Sequence, residues 1–133
     1  MRRLFIDTGP LLALALAGDD RHADAVLFTQ QHPSVSFVLT SLVLAELATR
    51  VRARASAERA AEAGRRLLDS RRHEILFVDE RLVRAGLTRL ERYGDKRLSL
   101  TDAVSFEIMD RFGIPAAFTF DHDFRDCGYR MLP

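Results

Sequence analysis

Leu4-Phe5-Ile6-Asp7-Thr8-Gly9-Pro10 decides how the rest of the chain is read. Three apolar residues end abruptly in a carboxylate, a hydroxyl and a Gly-Pro pair, which is the pattern of a short buried strand delivered into a turn. Similar runs follow at Val35 to Leu39, at Ile75 to Val78 before Asp79-Glu80, and at Ala116 to Phe120 before Asp121. A short last strand is expected near Tyr129 to Leu132. Between them lie helical stretches: Leu11 to Ala17 stopped by Gly18, His22 to Gln31 with Pro33 beyond, and Leu42 to Arg54 capped from Thr40-Ser41. Ala57 to Leu68 and Arg81 to Arg92 continue the pattern, and a last helix starts at a Thr101 cap and ends at Gly113. Strands alternating with helices predict an α/β class domain, a three-layer α/β/α sandwich around a mainly parallel sheet. No repeat, low-complexity tract or linker divides residues 1–133, so a single domain is expected.

With 47% hydrophobic and 29% charged residues, the composition is that of a folded globule and excludes a disordered or fibrous chain. The longest apolar stretch, Leu11 to Ala17, falls far short of the ~20 residues that cross a bilayer. Asp7 interrupts the basic-then-apolar start too early for a signal peptide, and the lone Cys127 has no intrachain disulfide partner. The expected compartment is therefore the cytoplasm. Net charge is +1, but the charge is unevenly distributed: Arg50 to Arg72 is rich in arginine, whereas acids dominate after Leu100. Lys96 is the sole lysine among 20 basic residues. Arginine forks phosphate and stacks on bases, so Arg50 and Arg54 are candidate RNA contacts; a solvated helix face and a GC-rich coding bias explain the same residues without function.

In open parallel sheets, ligands sit beyond the carboxyl ends of the strands, where the strand order reverses. Asp7 follows the first strand and Asp121 the fourth; Glu46 lies one to two turns into the helix after the second strand, and Asp102 lies in the first turn of the helix before the fourth. Taken singly, each has an ordinary reading. Asp102 complements a helix dipole, Asp7 forms a turn, and Asp121 sits in a loop. Glu46 is harder to explain, because it interrupts the apolar run Leu42-Val43-Leu44-Ala45-Leu47. Gathered carboxylates raise one another's pKa unless a cation joins them. Hard divalent ions such as Mg2+ and Mn2+ take oxygen donors, acidify bound water and neutralise phosphate charge, singly or in pairs. His22, His32, His73 and His122 are scattered and carry no zinc spacing.

Leu4 to Gly9, Leu44-Ala45-Glu46-Leu47, Leu98 to Ala103 and Thr119-Phe120-Asp121-His122-Asp123-Phe124 together resemble the four acidic blocks of PIN domains, in order and over nearly the whole chain. The likeness is to compact prokaryotic PIN proteins, above all VapC-type toxins of toxin–antitoxin pairs. It implies a sheet of order 3-2-1-4-5 and Mg2+- or Mn2+-dependent hydrolysis of RNA with one or two ions. It also implies a homodimer, and an antitoxin partner whose tail covers the site. Carried over by position, Asp7 and Asp102 are the central metal ligands and Asp121 and Glu46 complete the set. Asp123, Thr8 and Thr119 are auxiliaries.

Other classes fit less well. A phosphate-receiver domain places an acidic pair at the first strand and a lysine near the last; here the first site offers only Asp7, and Lys96 precedes the Asp102 helix. A haloacid-dehalogenase phosphatase needs a second aspartate where Gly9 stands. A flap-type DNA nuclease needs extra helices. A housekeeping PIN ribonuclease without an antitoxin and a catalytically idle binding module share the acidic blocks.

Overall fold

A computed structural model describes residues 2–133. Its single five-stranded sheet has the order β3-β2-β1-β4-β5, from β1 (Arg3–Ile6), β2 (Ser36–Thr40), β3 (His73–Leu76), β4 (Ala116–Phe118) and β5 (Arg130–Leu132). Every pairing is parallel, so the sheet is wholly rather than mainly so. The helices are α1 (Thr8–Ala15), α2 (His22–Gln31), α3 (Ser41–Arg54), α4 (Ala57–Asp69), α5 (Glu80–Arg92), α6 (Leu100–Arg111) and α7 (His122–Asp126). The three-layer expectation and the implied strand order both hold.

Alternating strand side chains build two cores. On one face Phe28 of α2 lies 4.2 Å from Phe118 and Phe118 lies 6.1 Å from Phe37, measured between ring centroids. On the other, Phe5 meets Phe124 of α7 at 6.3 Å, and Phe106 of α6 packs on Phe124 and on Tyr129. Phe5, Phe37, Phe106, Phe118 and Phe124 are all fully buried, which accounts for the near-continuous apolar strands. The chain steps outward from β1 to β3, returns across the sheet through α5 and α6, and resumes at β4 beside β1. The reversal point is thus the gap between the carboxyl ends of β1 and β4.

Several boundaries differ from expectation. β3 begins at His73 because its ladder starts opposite Phe37, and it stops at Leu76 opposite Thr40, where α3 begins. The Val78 amide donates instead to Ser41 Oγ at 2.9 Å. α1 begins at Thr8, not Leu11: Gly9-Pro10 forms the first turn, where proline's missing N–H leaves no bond unmade. β4 ends at Phe118, short of the expected Phe120. The cap of α6 is Ser99 and not Thr101, and Asp121, expected in a loop, caps the five-residue helix α7, which no expected element covered.

Candidate active site

The β1 ladder ends at Ile6, and Asp7 stands at the N-cap position of α1, at the reversal point, with its side chain making no capping bond. Its amide donates to Phe118 O at 3.0 Å, which ties it to β4. Asp7 is only 8% exposed, and its Oδ2 accepts a hydrogen bond from Thr119 Oγ1 at 2.9 Å. Thr119 in turn accepts from the Asp121 amide at 3.0 Å, and Asp121 Oδ1 accepts from the Asp123 amide at 2.9 Å. One hydroxyl therefore links the acids that follow β1 and β4. Across the gap, Asp102 is the third helical residue of α6. Its amide donates to Ser99 Oγ at 3.0 Å and its Oδ2 accepts from the Ser99 amide at 3.3 Å, a reciprocal capping box.

Asp7, Glu46, Asp102 and Asp121 line one cleft of about 370 Å3, with Thr8, Gly9, Arg50, Arg97, Ser99 and Phe120. The four acids drawn from four segments do meet. Asp123 and Thr119 are not on its wall but are bonded to residues that are. Arg50 lines the cleft and pairs with Glu46 at 3.1 Å. Arg54, one turn further along α3, pairs with Asp19 at 2.8 Å and stands outside it. Sequence reasoning missed Arg97, Ser99 and Phe120. The Ser99-Leu100-Thr101-Asp102 spacing is a capping-box signal that identifies Ser99; nothing in the sequence marks Arg97.

Burial pushes the Asp7 carboxyl up to about 7; the Thr8 amide opposes this, repulsion from Asp102 adds to it, and by smaller amounts the Thr119 hydroxyl lowers it and Asp121 raises it. Burial also raises Asp102; its hydrogen bonds with Ser99 hold it back, while Asp121 and Glu46 push it further. These mutual repulsions cost the fold free energy that a cation in the cleft relieves.

The donors suit a hard ion. All are carboxylate or hydroxyl oxygens, and the Thr8 hydroxyl beside Asp7 is buried with no hydrogen-bond partner in the protein. Among the described residues, no three acidic, imidazole or thiol groups close tightly enough to enclose an ion by themselves. Cys127 is free and half-buried, and burial raises its thiol pKa, so it is no activated nucleophile.

The PIN domain family profile matches residues 4–128. The chain is 35% identical, over 127 residues and 95% of both chains, to the 23S rRNA-specific endonuclease VapC20 of Mycobacterium tuberculosis, in two strains. The crystal structure of M. tuberculosis VapC20, described as a sarcin-ricin loop cleaving toxin, superposes with a TM-score of 0.87 at 30% identity over 95% of both chains. VapBC2 of Rickettsia felis, bound to a DNA fragment from their promoter, shares the fold with a TM-score of 0.67 at 16% identity, covering 98% of this chain and 97% of that one.

Proposed function

The chain belongs to the PIN-domain family, and on that premise we propose that it is a Mg2+- or Mn2+-dependent endoribonuclease serving as the toxin of a toxin–antitoxin pair. The observation that carries the reading is the convergence of Asp7, Glu46, Asp102 and Asp121 on one cleft at the sheet's reversal point. Asp7 and Asp102 hold the cation, Asp121 and Glu46 complete its surroundings, and Asp123 supports Asp121 through its amide. When bound, the divalent ion supplies positive charge for the phosphodiester and makes water more acidic. Thr119 fixes the orientation of Asp7, and the unpartnered Thr8 hydroxyl is available to ligand or water. Arg50, at the cleft wall, and Arg54, further along α3, contact phosphates of the flanking RNA by exchanging their pairs with Glu46 and Asp19.

Ribosomal RNA is the substrate class to test first, because the relative that matches across 95% of the chain is named for it. The antitoxin reading draws support from an apolar groove of about 320 Å3 between α1, α3 and α4. Leu11, Leu14, Leu47, Ala63 and Leu67 line it, and Arg59 and Arg66 stand beside them, a surface suited to a short amphipathic segment. Exposed Leu27 on α2 and Leu68 on α4 are candidate contacts of a homodimer, which a mass measurement in solution tests. No helix among the described residues is long and apolar enough to cross a membrane, which fits a cytoplasmic site of action.

The test is cleavage of a labelled 23S rRNA fragment by purified protein with Mg2+ or Mn2+, and with chelator. Cleavage that requires the ion and disappears in Asp7→Asn and Asp102→Asn supports the assignment. Variants that cut as fast as wild type would show the proposed site to be wrong.

A further inference from the structure

Arg97 is an exposed arginine in the wall of an acid-lined cleft, and it pairs with none of those acids. It shares the cleft with Asp7, Glu46, Asp102 and Asp121, yet among the described residues no carboxylate comes within ion-pair distance of it. The other cation of the cleft, Arg50, is already engaged by Glu46 at 3.1 Å. The acids that share the cleft with Arg97 are also partly committed: one Asp102 oxygen accepts from the Ser99 amide and one Asp7 oxygen from Thr119.

The backbone keeps Arg97 in this position. Tyr93, the last-turn cap of α5, donates to Arg89 O at 3.3 Å, and the Lys96 amide donates to Tyr93 O at 2.9 Å. Two residues after Arg97 the chain enters the Ser99–Asp102 capping box. The aspartate proposed to hold the cation thus also holds the segment that carries the arginine.

We propose that Arg97 grips a phosphate of the bound RNA next to the one that is cleaved, an inference that rests on the nuclease reading above. A polyanion approaching four carboxylates is repelled, and Arg97 is the free positive charge on the cleft wall that offsets this. Its planar fork matches two phosphate oxygens at once, in a way a lysine does not. Arg97 is a substrate-positioning residue and leaves the chemistry to the acids.

The test uses a fluorescently labelled RNA hairpin with the 23S sarcin-ricin loop sequence. Binding is measured in chelator by anisotropy across a salt series, and cleavage is measured separately with Mn2+. Arg97→Ala is expected to weaken binding about tenfold and to lower the slope of log Kd against log salt by about 1. It raises KM while leaving kcat within about twofold. Arg97→Lys recovers the slope but only part of the affinity. Arg84→Ala, which removes an exposed partner of Glu80 on α5, changes neither. If Arg97→Ala matches wild type in affinity and salt slope, the inference fails even though the protein cleaves RNA. If wild type binds the hairpin with the Arg97 dependence but never cleaves it, the nuclease reading fails and the phosphate contact stands.

Discussion

Thr119 Oγ1 donates to Asp7 Oδ2 at 2.9 Å although 112 residues separate the two in sequence, and both are almost fully buried. The bond orients the carboxylate most buried in the cleft and opposes the upward push of burial on its pKa. Thr119→Val keeps the shape of the side chain but removes the donor, leaving a buried oxygen short of a partner. Cleavage is expected to fall about tenfold, and stability by about 1–2 kcal/mol, by a pH–rate series and urea unfolding. The pH–rate profile shifts to higher pH, because Asp7 loses a bond that favours its charged form. An unshifted profile would show that the bond does not tune Asp7.

The same carboxyl makes metal-free stability depend on pH. In the folded protein Asp7 keeps its proton up to about 7, whereas its ordinary value is 3.8. Between those values the native state binds more protons than the unfolded chain, so stability falls as pH rises through this window. Chelated protein is expected to unfold at lower urea at about pH 8 than at about pH 5. Asp7→Asn flattens most of that decline, and Mn2+ restores stability at the higher pH in wild type only. A midpoint that rises with pH would contradict the burial of Asp7.

Gly86 brings α5 against α6. A Cβ there would meet Val104 Cγ2 at 2.6 Å and Leu100 Cδ1 at 3.1 Å, and Val104 is fully buried with a stiff branched side chain. Alanine gains about 1 kcal/mol in helix propensity, but the overlap costs about 1–3 kcal/mol. Gly86→Ala is therefore expected to lower Tm, and to weaken Mn2+ binding because α6 carries Asp102. A calorimetric scan and a metal titration check both effects; a raised Tm would show that α6 yields easily.

Arg89 is 7% exposed and joins the same two helices, donating to Glu107 at 2.8 Å and Asp110 at 2.6 Å. Tyr129 donates to Asp110 at 2.7 Å and so attaches the chain before β5 to this cluster. Arg89→Ala leaves Glu107 with only the longer pair to Arg111 at 3.4 Å and takes the cation from Asp110, a loss of about 2–4 kcal/mol. Arg89→Met is expected to lose less, because it fills the space, and both differences are readable from chemical denaturation. Equal stability of Arg89→Ala and wild type would mean that the cluster contributes nothing net.

The sheet and the meeting of its acids were legible because the informative signals are local. Leu4 to Ile6 and Ala116 to Phe118 are uninterrupted apolar runs that fit only strands buried on both faces. Each is soon followed by the acid in question, and the reversal rule does the rest. Glu46 stood out because an apolar helix face does not tolerate a stray carboxylate. What stayed hidden depends on register or on tertiary placement. The extent of β3 is set by where β2 stops, and α7 is too short to show periodicity. The expected Thr101 cap gives way to Ser99, whose reciprocal bond with Asp102 starts the helix two residues earlier. Arg97 looks like any loop arginine until the path from α5 to α6 turns it into the cleft.

The return of the chain across the sheet also bears on the order in which the cleft is assembled. β1 emerges first and acquires its second neighbour, β4, only once residues 116–118 have been made. Until Thr119 and Asp121 have left the ribosome, Asp7 has neither its hydroxyl partner nor its opposite acid. A nascent or proteolytically shortened chain holds the first three acids in order yet has no assembled cleft. The fold itself thus makes the cleft later to form than the strands on the β3 side of the sheet.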